Sequence, residues 1–215
     1  MKYTKQIGIF NPKEFKDNTI LIVGCGAVGS FTAVGLAKLG IMKFRLIDPD
    51  KIEEHNVLNQ FFGIKDTQRY KTDVVKGIIL DFNDQANVYS GTYKFASNEV
   101  EGTQIVLSCV DSMDVRKEIF NACKNGKVQL FIDARMSGLQ GQVYSVDMTK
   151  KKEISNYEKS LFTQKEAVQE RCTANRVVYP VMGIASIICN QIVKAFKGEK
   201  INNYIVIDYN VPQMF

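Results

Sequence analysis

Hydrophobic positions along the chain fall into two alternating rhythms. Thr19–Val23 is an unbroken apolar run stopped at Gly24, which predicts a buried strand. Ala27–Leu39 carries apolar residues at helical spacing and ends at Gly40, a residue suited to the position just past a helix. Lys43–Ile47 predicts a second strand, and 71–81 a helix with Val74, Val75, Ile78 and Ile79 on one face. A short strand is expected near Val88, then a buried strand over 105–110, a helix over Met113–Asn125 and a strand over 130–134. Strands that alternate with helices predict a parallel sheet, with right-handed crossovers placing helices on both of its faces.

The rhythm changes after Gly138. The stretch GLQGQVYSVD alternates and predicts a strand of an antiparallel extension. Residues 148–176 are polar, with a short helix expected around 158–170, and the span up to residue 179 reads as a long crossover or functional loop. The run Lys150-Lys151-Lys152 within it reads as solvated loop. Pro180 is expected to open a buried helix, because proline's missing N–H costs little in a first turn. NYIVIDYNV supplies a last strand. No internal repeat breaks the pattern, so the expectation is one α/β domain over 1–215, a Rossmann-like parallel sheet with helices on both faces and an antiparallel extension at its C-terminal side.

Composition narrows the classes. Of 215 residues, 45% are hydrophobic and 24% charged, as in ordinary globular chains. A net charge of +5 without a basic stripe gives no nucleic-acid footprint, so no nucleic-acid partner is expected. The most apolar late stretch, 181–196, carries Asn190, Gln191 and Lys194, too short and polar to span a bilayer. The first residues lack the apolar core of a signal peptide. Five cysteines without paired spacing suit a reducing compartment. A cytoplasmic protein without membrane contact is the expectation.

Candidate chemistry begins at Gly24-x-Gly26-x-x-Gly29. The first glycine permits a tight turn, the second lets backbone approach a ligand, and the third lets the helix pack closely. The helix start at Ala27 offers free N–H groups and a positive dipole end to phosphate. Asp48, 19 residues after Gly29, suits a carboxylate accepting ribose hydroxyls. This pattern points to a nucleotide and leaves open whether it is NAD or ATP.

The next segment, IDPDKIEEHNVLNQFF, separates the two. The chain resembles the ThiF/MoeB/HesA superfamily, which includes the adenylation domains of ubiquitin-activating enzymes. That family follows its glycine turn with D-x-D-x-V-x-x-S-N-L-x-R-Q, a lysine a dozen or so residues on, and D-N-x-x-x-R after a later strand. Here Asp48, Asp50 and Ile52 fit the first part, Asn56 and Gln60 the second, Lys71 the lysine, Asp111 the magnesium-site aspartate and Arg116 the downstream arginine. Ser112 replaces the asparagine of that last motif. KYTKQIGIF, IDARMSGLQGQV and the proline-led helix extend the likeness over nearly the whole chain. The resemblance implies ATP and magnesium, and adenylation of the C-terminal glycine of a small β-grasp protein, either ubiquitin-like or a sulfur carrier. It also implies a homodimer, Lys71 as the phosphate cation and Asp111 as the magnesium ligand.

Other positions depart from the family. His55 stands where it has serine, Asn59 where it has arginine, and Lys5 where an N-terminal arginine reaches a partner's ATP; asparagine offers neither the charge nor the donor fork of arginine. Arg69 is a candidate replacement. Cys172 lies where the activating enzyme for the ubiquitin-like modifier UFM carries its nucleophile, and Arg171 and Arg176 could lower its pKa. A thioester on Cys172 therefore stays open beside an inert loop cysteine. Cys109, Cys123 and Cys189 are expected in the core, Cys25 as a small residue of the turn and His55 as a polar loop residue or phosphate contact. Three other readings remain: a non-catalytic subunit of a heterodimeric activating enzyme, adenylation of a non-protein carboxylate or tRNA base, and a NAD-dependent oxidoreductase.

Overall fold

A computed structural model of the chain describes residues 5–161 and 177–210. Seven strands form one sheet: β1 (Thr19–Val23), β2 (Lys43–Ile47), β3 (Asn87–Gly91), β4 (Ile105–Ser108), β5 (Leu130–Ser137), β6 (Gln140–Asp147) and β7 (Tyr204–Asp208). Their spatial order is β3-β2-β1-β4-β5-β6-β7. The first five are parallel, and β6 and β7 add antiparallel to β5. The expected parallel sheet with an antiparallel extension is what forms.

Central strands covered on both faces need apolar residues at every position. β1 satisfies this with Ile20, Leu21 and Ile22 fully enclosed, each side chain worth about 1.5–3 kcal/mol of burial. Ile20 and Ile22 face α1 (Ala27–Leu39), α2 (Lys71–Phe82) and α5 (Val178–Phe196). Leu21 and Val23 face the other layer, where Phe120 of α3 (Met113–Asn125) packs on Phe131 and on Tyr157 of α4 (Lys151–Glu158).

α1 and α3 have the expected bounds. Gly40 closes α1 at φ 90°, and its N–H reaches carbonyls of the last turn. α5 is the one helix among the described residues long and apolar enough to cross a membrane. It instead lays Val181, Ile184, Ile188 and Ile192 against α1 and β6.

Three expectations fail. A helix that was not expected, α4, spans Lys151–Glu158, while residues 162–170 of the helix expected around 158–170 lie outside the described residues. The lysine run is therefore not loop: Lys150 caps α4 and pairs with Asp147 and Glu153. Pro180 sits at the third position of α5, still inside the first turn where an N–H has no helical partner. Strand β5 also outruns its expected end by three residues, because β6 continues to pair with it through Ser137.

Candidate functional site

In the order β3-β2-β1-β4-β5 successive strands are added first to one side of β1 and then to the other, and a doubly wound sheet opens a crevice outside the carboxyl ends of its strands at such a point. A cleft of roughly 890 Å³ lies there. Its walls include Gly24, Gly26 and Ala27 of the turn, Asp48 and Asp50 after β2, and Asn56 and Gln60 of the next loop. Lys71 at the start of α2 and Asp111 and Ser112 after β4 complete that side.

The glycines do three separate jobs. Gly24 has φ +90°, and a Cβ there would meet the Cys109 carbonyl oxygen at 2.6 Å. A Cβ on Gly29 would sit 1.9 Å from the Gly24 carbonyl oxygen, so this glycine seats α1 against the turn and does not line the cleft. A Cβ on Gly26 would meet nothing closer than the Gln60 carboxamide at 3.9 Å, which leaves room for a ligand. No side chain caps α1 and no acid lies in its first turn, so its N-terminal dipole end faces the cleft uncompensated. Gln60 sets its carboxamide beside Gly26, where its NH2 group is the donor that could meet a phosphate oxygen. A cradle of this kind fits a polyphosphate.

Asp48 is buried, and its carboxylate accepts the backbone N–H groups of Cys25 at 2.7 Å and Asp50 at 2.8 Å. It therefore fixes the glycine turn as well as facing the cleft. Burial pushes its carboxyl above the ordinary range, against the pull of the Lys71 ammonium and of those two N–H groups. Lys71 is only 8% exposed, although a cation at the first position of a helix opposes the dipole. Asp50 offsets this twice: its carboxylate takes the Lys71 ammonium at 2.9 Å and its carbonyl takes the Lys71 N–H at 3.0 Å.

Asn56 caps its own turn, its carboxamide oxygen accepting the Glu53 N–H at 3.0 Å, so toward a ligand its amide is a donor. Exposed His55 lies on the wall near Glu53. Ser112 caps α3 through Val115 N–H. Asp111, exposed and one residue before that cap, is a cleft carboxylate open to a cation, as are the exposed Glu53 and Glu118 on the same walls. No cluster of three metal-binding side chains exists among the described residues. A lone carboxylate is what magnesium uses when nucleotide phosphates supply its other ligands.

The structure separates other candidates from this group. Asn59 and Lys5 do not line the cleft, and Lys5 is exposed. Arg69 does not line it either, because Asp66 holds its guanidinium at 2.9 Å. Arg116 is 3% exposed and serves as a strut: it pairs with Asp133 and donates to the carbonyls of Val110 and Ala134. Burial lowers its pKa to about 10. Cys172, with Arg171 and Arg176, lies outside the described residues. The other thiols are poorly suited as nucleophiles, because burial pushes Cys25 well above the ordinary range and Cys109, Cys123 and Cys189 to about 12. Among the wall residues that sequence reasoning left without a role are Lys94, Phe95 and Arg135. The first two follow β3 with no motif to mark them.

A glycine turn at the switch point of a mostly parallel sheet places the chain among the doubly wound α/β folds. Comparison with known proteins narrows that class. Residues 3–214 match the ThiF family, and the chain belongs to it. It is 27% identical over 194 residues to the sulfur carrier protein ThiS adenylyltransferase of Escherichia coli (strain K12), covering 86% of this chain and 76% of that protein. It is 32% identical over 135 residues to ubiquitin-like modifier-activating enzyme 5 of Bombyx mori, covering 55% of this chain. The chain spans only about a third of the length of such relatives, 34% in this case. Among solved structures, Escherichia coli MccB with ATP superposes with TM-score 0.77 at 20% identity, over 94% of this chain and 64% of that one. PaaA gives TM-score 0.76 at 20% identity, over 92% and 62%. These last two likenesses concern the fold.

Proposed function

We propose that the chain adenylates the C-terminal glycine of a small β-grasp protein, ubiquitin-like or sulfur-carrying, with ATP and magnesium. The observation that carries this reading is the meeting, in one cleft, of an uncapped helix N-terminus over Gly26, a buried lysine and an exposed aspartate. A carboxylate oxygen attacks the α-phosphorus, an acyl–phosphate bond forms, the α–β phosphoanhydride bond breaks, and pyrophosphate leaves with its electron pair. The attacking group is already ionised, so no general base is needed. The demand is for cations and dipoles where negative charge gathers. The α1 N-terminus and the Asn56 amide would cradle phosphate oxygens, and Lys71 would neutralise them on leaving Asp50. Asp111 would hold magnesium, which supplies charge neutralisation on the departing phosphates. Hydride transfer has no use for Lys71 or Asp111 in these places.

The family relatives support a carrier protein as substrate, since one is named for the sulfur carrier ThiS and others for ubiquitin-like modifiers. A homodimer belongs to the same proposal: Lys5 is exposed away from its own cleft, where it could serve only another. A second reading, a non-catalytic subunit, draws on the position of Asn59 outside the cleft lining. ATP–pyrophosphate exchange with magnesium and a glycine-ended carrier distinguishes the two. The proposed enzyme exchanges, and Asp111→Ala and Lys71→Ala do not. With Cys172→Ala, exchange persists while a thiol-sensitive carrier adduct disappears if a thioester follows. ATP binding without exchange would favour the subunit reading.

A further inference from the structure

Arg135 stands on the wall opposite the nucleotide side, and the proposal above gives it no work. It follows Asp133 by two residues on β5, so both side chains lie on the same sheet face. Asp133 is fully enclosed and accepts from the Arg135 Nε at 2.8 Å. Behind the guanidinium, Ser160 takes two further hydrogen bonds, its carbonyl from Nη1 and its Oγ from Nη2, both at 3.0 Å. The ring of Tyr144 lies under the guanidinium at 4.4 Å. A guanidinium carries five N–H donors; among the described residues three are held, and the other two belong to the Nη atoms. The fork is thus locked in orientation before any ligand arrives.

Charge points the same way. Asp133 pairs with both Arg116 and Arg135, so two cations share one carboxylate and one positive charge stays uncompensated by it. Both arginines border the cleft, but Arg116 is almost fully enclosed and committed to Asp133 and to the carbonyls of Val110 and Ala134, whereas Arg135 is the more exposed of the two. Along the β5–β6 wall its cleft-lining neighbours are neutral, Met136, Gly138, Gln140 and Gln142 among them. Strand register sets its height. Val23, Ser108 and Asp133 lie level across β1, β4 and β5, so Asp133, which holds the guanidinium, stands two strand spacings, roughly 10 Å, from the end of β1 that leads into the glycine turn.

We infer that Arg135 receives the terminal carboxylate of the acyl substrate and makes a free chain end the requirement for entry. Asp133 and Ser160 are positioning residues for this contact. The inference rests on the adenylation reading, which supplies a carboxylate substrate.

The test uses the full chain and a synthetic peptide ending in Gly-Gly, with either a free carboxylate or an amide cap, followed by NMR titration. Wild type binds the carboxylate form roughly tenfold to a hundredfold better than the amide, the range for charge-assisted hydrogen bonds. Arg135→Gln brings the ratio to about one, and Arg135→Lys, which keeps charge without the fork, lies between. Asp133 keeps Arg116 in these variants, and their thermal midpoints are measured alongside. A wild-type ratio near one, or an unchanged ratio in Arg135→Gln, overturns the inference. So does a fall in ATP affinity without a change in ratio, which would move Arg135 to the nucleotide. ATP binding on the same samples separates the two proposals: discrimination between peptides without ATP binding defeats adenylation and leaves Arg135 in its role.

Discussion

The two glycines at either side of the α1 start give opposite predictions from the same substitution. At Gly29 an alanine Cβ would lie 1.9 Å from the Gly24 carbonyl oxygen, 3.0 Å from its carbon and 3.4 Å from the Cys109 Cβ. The first two are main-chain atoms that cannot rotate aside. Relief to an ordinary contact requires helix and turn to part by about 1.5 Å, which places the cost near the top of the overpacking range, about 3 kcal/mol. Helix propensity returns up to about 1 kcal/mol of that. The net loss of about 2 kcal/mol lowers Tm by roughly 4–8 °C for a chain of this size. At Gly26 the nearest atom to the new methyl is 3.9 Å away, so stability stays within about 0.5 kcal/mol. The methyl instead occupies the space above the uncapped N–H groups, and ATP affinity falls at least about tenfold, the loss of one charge-assisted hydrogen bond. Calorimetric melting and ATP titration of both variants are the assays. A Gly26→Ala protein that binds ATP like wild type would refute the assignment of this turn to phosphate.

Three further outcomes follow from the site. Lys71→Met removes the cation but frees Asp50, which is well exposed; Tm changes little, while ATP titration shows affinity reduced about tenfold or more. Asp133→Asn leaves two arginines without their shared carboxylate and costs about 3–5 kcal/mol in urea unfolding, where Asp111→Asn at an exposed position costs under about 0.5. Asp48, raised by burial, binds its proton more readily in the native state than in the unfolded chain. Its contribution to stability is therefore greatest below the unfolded value near ~3.9 and is lost as pH rises through the higher native value. A carboxyl NMR titration midpoint at or below the unfolded value would contradict this.

Local pattern carried most of the fold. β1 and β2, α1 and α3 follow directly from apolar runs, spacing and terminal residues, because each is decided by neighbours in sequence. Helix α4 was not legible because it buries a single residue, Tyr157, and opens with two lysines; its stability comes from aromatic contacts with Phe120 and Phe131, distant in sequence. The site divides in the same way. Gly24, Gly26, Asp48, Lys71 and Asp111 lie in ordered motifs and meet in the cleft. That Asp48 also pins the turn depends on the Cys25 N–H across the β1–β2 pair, which no spacing reveals. Arg116 shows the limit of motif matching, since its partners on β5 turn a candidate site residue into a strut. Arg135 lies in IDARMSGLQGQV, a stretch of likeness that assigns it no role; its role depends on Asp133, Tyr144 on β6 and Ser160 beyond α4.

Central to this account is attack at the α-phosphorus of ATP by a terminal carboxylate. The most direct measurement is product analysis in a single turnover, with ATP labelled in its α-phosphate, magnesium and a glycine-ended β-grasp protein. The account predicts label transferred to the carrier as AMP with release of pyrophosphate, both lost in Asp111→Ala. Label recovered as ADP, with no AMP on the carrier, would place the chemistry at the γ-phosphate and contradict it.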